Sequence, residues 1–299
     1  MKVGILGFGS MGRSHARVIQ RIRGFELVGF YDPGYEAEDD SKILRKSSVK
    51  DLVSENPDYL VIASPTQTHF SAIIQLIESK IPLLVEKPIC CKDFESTQLK
   101  ELSTRLEFPV AVGHVERFNP AMIAAREIVQ SGVIGSLVSI DTFRKGPNPN
   151  RELGVGVLLD LMSHDVDTTM WLTGQKYRDK SSRTYSASGA NFESFAVMQG
   201  VMKEGTIVRH QVDWLSPFKV RQSRIMGTKG VLTVDTVQNT LELVREYKSG
   251  PKVEIIGPSP GSLEPLELEH LHFKRLIMGE ASHIATLEEA LQVVQILLN

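Results

Sequence analysis

Through its first third the chain alternates short, continuously apolar runs with longer amphipathic stretches. Residues 3–6, 26–31, 59–63 (YLVIA), 82–85 (PLLV) and 109–112 (PVAV) carry the strand pattern. Between them, 11–22, 49–55, 69–79 and 94–106 repeat apolar positions at helical spacing. Strands apolar throughout are buried on both faces, and strands separated by helices cross over in parallel. The pattern predicts a doubly wound α/β domain.

After a helix over 121–130 the character changes. Strand patterns follow at 135–143, 192–202, 206–214, 218–226, 230–235 and 240–244, with turn signals at Lys203-Glu204-Gly205 and Gly227-Thr228-Lys229-Gly230. Such spacing predicts an antiparallel sheet. A helix over 158–172 interrupts it. The Pro/Gly-rich stretch 250–265 reads as loop around a short strand at 253–256, and helices over 266–278 and 287–298 close the chain. The second half is therefore α+β. With the boundary near 117–120, the expected domains are 1–118 and 119–299. Neither repeats nor low-complexity tracts occur.

Composition narrows the class. The 299 residues suit two domains, and 41% hydrophobic content with 23% charge is ordinary for a folded globular protein. With 34 Lys and Arg against 36 Asp and Glu, the net charge of −2 argues against a general nucleic-acid binder and leaves open only a local basic patch. No apolar run is long enough to span a bilayer, and the glycine-broken N-terminus has no signal-peptide pattern. The two cysteines, Cys90 and Cys91, are adjacent, so they form neither a disulfide framework nor a CxxC clip and fit a reducing compartment. A cytoplasmic protein is expected.

Gly7-Phe8-Gly9-Ser10-Met11-Gly12 is a GxGxxG between a strand and a helix. In that context Gly7 permits the tight turn, Gly9 lets backbone approach a pyrophosphate, and Gly12 allows close helix packing. The helix N-terminus adds partial positive charge. Asp32 ends the second strand 25 positions after Gly7, where a carboxylate can bind both ribose hydroxyls; the bland alternative is a turn-forming Asp before Pro33. Glu36, Glu38, Asp39 and Asp40 follow instead of an arginine, which favours NAD over its 2′-phosphorylated counterpart.

Glu86-Lys87-Pro88 falls at the end of a parallel strand, where open sheets place their ligand crevice. Together with the GxGxxG, Ser64-Pro65-Thr66-xx-His69 and a glycine-flanked helix reading Gly154-Val-Gly156-Val-Leu-Leu-Asp160-xxx-His164, it resembles the Gfo/Idh/MocA oxidoreductase family over nearly the whole chain. The resemblance implies an N-terminal Rossmann domain, a C-terminal domain with an open-faced, mainly antiparallel sheet, and homo-oligomers (dimers or tetramers) built through that sheet. It also suggests a cis Lys87–Pro88 bond. Within the family, Val112-Gly-His114-Val-Glu-Arg117-Phe-Asn119-Pro120, Asp213-Trp214-Leu-Ser-Pro217-Phe-Lys219-Val-Arg221 and Gly146-Pro147 with Arg151 are similar to nucleotide-sugar 3-dehydrogenases. That likeness implies oxidation of the C3 hydroxyl of UDP-N-acetylglucosamine or its uronic acid. One departure is the segment after Asp32, which is shorter than the usual strand–helix unit.

The expected cofactor set is the 7–12 loop, Asp32, Ser64, Pro65, Thr66, His69, Glu86 and Lys87. Strand alternation sends Glu86 and Lys87 to opposite faces. The Lys87 ammonium could stabilise a developing alkoxide, although alone it reads as a solvated strand-end lysine. Asp160 and His164, four apart on one helix face, are candidates to orient and to accept the hydroxyl proton; a surface ion pair is the alternative. Arg117 and Asn119 are candidate substrate contacts, and Arg144, Arg151, Lys219 and Arg221 looser ones. Asp165 and Asp167 read as capping or surface acids, and His15 as structural. Three competing readings remain: an inositol, free-sugar or sugar-phosphate dehydrogenase; a non-catalytic NAD sensor; and a metal hydrolase on Asp160, His164, Asp167 and His69. For the last, neither HExxH nor a tight His cluster is present, so no metal is expected.

Overall fold

The computed structural model describes residues 1–35, 44–149, 154–247, 250–256 and 263–298. In chain order its elements are β1 (Lys2–Leu6), α1 (Ser10–Ile19), β2 (Glu26–Tyr31), α2 (Val49–Ser54), β3 (Tyr59–Ile62), α3 (Thr66–Leu76), β4 (Leu83–Glu86), α4 (Asp93–Ser103) and β5 (Val110–Gly113). There follow α5 (Pro120–Gln130), β6 (Leu137–Pro147), α6 (Ser163–Thr173), β7 (Tyr177–Tyr185), β8 (Phe195–Met202), β9 (Ile207–Asp213), β10 (Leu215–Gly227), β11 (Gly230–Asp235), β12 (Thr240–Tyr247) and β13 (Gly250–Ile256). Last come α7 (Pro265–Ile277), β14 (Ala285–Thr286) and α8 (Leu287–Leu298). None of the described helices is long and apolar enough to cross a membrane.

The chain divides into two compact units, Met1–His114 with Leu266–Leu298, and Val115–Pro265. The first is built on a sheet of order β14-β5-β4-β3-β1-β2, parallel except for β14. β3 and β4 are buried at every position, as the unbroken apolar runs require. Because β1 lies between β2 and β3, the direction of winding reverses there, and loops leaving β1 and β3 open a crevice at their carboxyl ends. The closing segment differs from the expected 119–299 grouping. Leu287, Ala290, Leu291 and Val294 of α8 share the core of Val85, Leu99 and Val112, and β14 pairs with β5. An amphipathic helix announces that it buries a face, not which core receives it.

The second unit is a sheet of order β13-β12-β11-β10-β6-β9-β8-β7, antiparallel except where β6 meets β9. Ile140, Val208, Ile225 and Leu232 pack beneath α5 and α6 with Ala125 and Trp171. On other strand positions Phe143, Val197 and Ile207 are exposed, with the Arg209–Asp141 ion pair between neighbouring strands. β7 (YRDKSSRTY) escaped the apolar pattern because it is a polar edge strand.

His210 on β9 is sealed in this core between Thr142 Oγ1 (2.7 Å from Nδ1) and Tyr177 Oη (2.6 Å from Nε2). Burial pushes its pKa down to about 3. Since the unfolded chain takes up this proton near pH 6.5, stability is lost as pH falls from there toward 3, by about 1.4 kcal/mol per unit at the steepest. Urea unfolding of His210→Gln between pH 7 and 4 is expected to show a shallower acid-side decline than the parent.

Candidate functional site

Gly7 has φ +90°, and a Cβ there would lie 2.4 Å from the Ser64 nitrogen; one at Gly12 would lie 2.1 Å from the Gly7 carbonyl. These two glycines are therefore required by the turn and by the close seating of α1. Gly9 is different: a Cβ on it would meet nothing within 4 Å. It faces outward at the N-terminus of α1, where no side chain caps the first-turn N–H groups. That open cradle fits a dinucleotide pyrophosphate. Asp32 Oδ2 accepts from the Phe8 amide at 2.7 Å and Oδ1 from the Gly34 amide at 2.9 Å. The carboxylate thus ties the glycine loop to the end of β2, with Phe8 stacked on Phe30. The acidic run Glu36, Glu38, Asp39 and Asp40 lies outside the described residues.

One cation near Asp32 was not anticipated. Arg45, exposed and 13 positions on, donates from Nη2 to the Asp32 carbonyl at 3.2 Å and sits 5.7 Å from the Tyr35 ring centroid. Proximity of an arginine to Asp32 arises from chain return after β2, which no spacing rule reveals.

At the ends of β3 and β4, Ser64 Oγ meets Thr68 Oγ1 at 2.7 Å, while Pro65 and Thr66 open α3 at the surface. His69 is buried, its Nδ1 2.9 Å from the Pro88 carbonyl and its Nε2 2.8 Å from that of Ser64. It clamps two loops together, and burial lowers its pKa against those carbonyls. The Lys87–Pro88 bond is cis. Glu86 is buried, with Oε1 2.9 Å from His15 Nε2, whereas Lys87 is partly exposed. Burial pushes Glu86 upward, but the hydrogen bond from His15 and then the Lys87 charge help to outweigh it and hold its pKa below the usual range. Glu86 therefore supports the strand end from inside.

In the second unit Gly154 has φ +68°, and a Cβ on Gly156 would lie 2.1 Å from the Glu193 carboxyl carbon. Glu193, absent from the sequence candidates, accepts from the Leu158 amide at 3.1 Å and so caps the helix start. Leu158–Met162 forms a π-helical turn that runs directly into α6, so the expected single helix over 158–172 is two kinds of turn. π turns recur at functional sites. Asp160 in the π turn and His164 in α6 are half-buried where most of their neighbours are fully buried. α6 ends at Gly174, φ +67°.

Asp165 and Asp167 are not surface acids. Asp167 is fully buried, bound by Arg117 through Nε (2.9 Å) and Nη2 (2.6 Å). Asp165 accepts from Arg144 Nε at 3.2 Å on each oxygen, and Arg144 Nη1 also reaches Glu116 at 2.9 Å. Burial raises Asp165 to about 6 against the pull of Arg144, leaving it ionised at neutral pH. Arg117 is therefore committed to Asp167, and Asn119, whose Oδ1 caps α5 while Nδ2 donates to Thr236, is committed to the scaffold. Both of these expected substrate contacts are buried and hydrogen-bonded within the second unit. Arg221 is half-buried; burial and Arg144 lower its pKa to about 10, opposed by Asp165, Glu116 and Asp160. Lys219 is exposed, and Arg151 lies outside the described residues.

Residues 1–114 match the profile described as an oxidoreductase family with an NAD-binding Rossmann fold, and 122–233 that of a GFO/IDH/MocA C-terminal domain. The chain is 28% identical over 247 residues to a UDP-N-acetylglucosamine 3-dehydrogenase of Acidithiobacillus ferrooxidans, spanning 81% of this chain and 76% of that enzyme. The solved structure of the A. ferrooxidans enzyme superimposes with a TM-score of 0.89 at 25% identity, covering 100% of this chain and 95% of the other. An inositol 2-dehydrogenase of Corynebacterium glutamicum is 28% identical over 185 residues, spanning 59% of this chain and 55% of that enzyme.

Proposed function

The chain belongs to the Gfo/Idh/MocA family of NAD-binding oxidoreductases, and on that premise we propose that it is a nucleotide-sugar 3-dehydrogenase acting on a UDP-N-acetylglucosamine-like substrate. The supporting observation is the likeness to the A. ferrooxidans enzyme through both units, against the shorter match to the C. glutamicum inositol dehydrogenase. Bound NAD supplies the hydride acceptor. Lys87 hydrogen-bonds the substrate oxygen and stabilises charge that develops on it. His164 takes the hydroxyl proton as the C–H bond breaks, and Asp160 orients it or a second hydroxyl. The products are a 3-keto sugar, NADH and one proton. Arg221, with its neighbouring cations, is the candidate for the substrate diphosphate. Turnover of UDP-N-acetylglucosamine against myo-inositol, followed by NADH absorbance, separates this reading from the inositol alternative.

Preference for NAD rests on Asp32, while Arg45 supplies a cation suited to a 2′-phosphate. Asp32→Ser is expected to raise the NAD KM roughly tenfold or more, from the loss of a charged hydrogen-bond acceptor, and to improve use of the phosphorylated coenzyme. Arg45→Ala is expected to reverse that improvement. Initial rates with both coenzymes check each outcome.

The exposed Phe143, Val197 and Ile207 also support assembly of like subunits through the second unit's open face. Light scattering should give a mass at least twice 33.2 kDa.

A further inference from the structure

Four elements deliver polar side chains to one buried spot in the first unit: His15 from α1, Tyr59 from β3, Glu86 from β4, and Glu269 with His270 from α7. Most of them form a single file. Tyr59 Oη lies 2.7 Å from His270 Nδ1, His270 Nε2 lies 3.0 Å from His15 Nδ1, and His15 Nε2 lies 2.9 Å from Glu86 Oε1. With the Tyr59 hydroxyl donating, each imidazole accepts on Nδ1 and donates from Nε2, and the Glu86 carboxylate ends the file. The His270 ring is then neutral, in keeping with the burial that holds its pKa well below the usual value. Glu86 Oε2 also accepts from the Lys87 amide at 3.2 Å.

Glu269 stands outside this file. It is wholly inaccessible to solvent, and neither carboxyl oxygen has a hydrogen-bond partner. Yet one of its oxygens lies within 4.8 Å of both a Glu86 oxygen and a His15 ring nitrogen. Gly113 makes the approach possible: a Cβ there would sit 3.3 Å from Glu86 Oε1 and 3.4 Å from Glu269 Oε1. An ionised Glu269 would be a buried charge without a donor, beside a second carboxylate, which is prohibitively costly. Neutralisation needs either a proton or a cation. A cation held by His15, Glu86 and Glu269 would have to displace the His15–Glu86 hydrogen bond, since both His15 nitrogens are engaged. A proton on Glu269 breaks nothing.

We propose that Glu269 is held as a neutral carboxylic acid whose proton is directed at the ionised Glu86, making it a positioning residue for the strand end that carries Lys87. The catalytic consequence rests on the dehydrogenase reading; the protonation does not. Glu86 thereby gathers donors from α1, from its own strand end and from α7, and the loss of one frees its carboxylate to turn.

The test uses the full-length protein in two arms. With carboxyl-labelled glutamate, NMR at pH 7 should show one protonated glutamyl side chain, absent from Glu269→Gln, with no stoichiometric metal by elemental analysis. In kinetics, Glu269→Gln keeps a donor and should retain kcat within about threefold, whereas Glu269→Ala should lose about tenfold or more, the worth of a hydrogen bond to a charged group, with KM for NAD unchanged. Absence of any protonated glutamate at pH 7, or one bound divalent metal per chain lost in Glu269→Gln, overturns the proposal. Equal impairment of the two variants overturns the positioning role. If no sugar is turned over at all, the dehydrogenase reading fails while the NMR arm still decides the state of Glu269.

Discussion

Lys87→Ala is expected to lower kcat for sugar oxidation by about a thousandfold, the scale on which removing a charge-stabilising donor acts. Affinity for NAD should change by less than about tenfold, because the proposed pyrophosphate and ribose contacts are assigned to the 7–12 loop and Asp32 and not to Lys87. The reason lies in how the side chain is presented. Glu86 and Lys87 are neighbours with opposite fates, one buried against His15 and one partly exposed at the carboxyl end of β4. Glu86 is thus satisfied internally and leaves Lys87 to act outward. Lys87→Arg is not expected to restore activity, since a planar guanidinium cannot take the place of a compact ammonium. Stopped-flow NADH formation and coenzyme titration measure the two quantities separately.

Arg117→Leu is expected to be the most destabilising single change in the second unit. Both members of the Arg117–Asp167 pair are buried, and removing the guanidinium strands a carboxylate in the core. Breaking such a pair costs about 3–5 kcal/mol. For a protein of this size that corresponds to a fall in Tm of roughly 5–8 °C. Asp167 lies on α6, one turn from His164, so the loss should also reduce kcat. Combining Arg117→Leu with Asp167→Leu should recover most of the stability, because no unpaired charge remains. Calorimetry on the two variants checks both statements.

The contrast between Lys87 and Arg117 shows which features could be read from residues alone. The glycine loop was legible because positive φ and close backbone approach leave only glycine, and strand–loop–helix context fixes what such a loop is for. The parallel sheet was legible because burial on both faces imposes an unbroken apolar run. Charged residues in helices carry no equivalent signal. Asp165 and Asp167 look like surface acids until Arg144 and Arg117, 21 and 50 positions earlier, are folded against them. The same holds for Glu269 and His270 within α7, whose polar neighbours come from α1, β3 and β4. Pairing across long separations is decided by tertiary packing, and local pattern cannot report it. Arg45 was missed for a related reason: chain return after β2 brings it beside Asp32 without any periodicity.

The central claim concerns which bond is broken. UDP-N-acetylglucosamine deuterated at C3 should transfer its label to NAD, giving labelled NADH by mass spectrometry with unlabelled 3-keto sugar, and a primary isotope effect on the single-turnover rate. Retention of deuterium in the sugar while NADH forms, or oxidation of myo-inositol with no turnover of the nucleotide sugar, would contradict it.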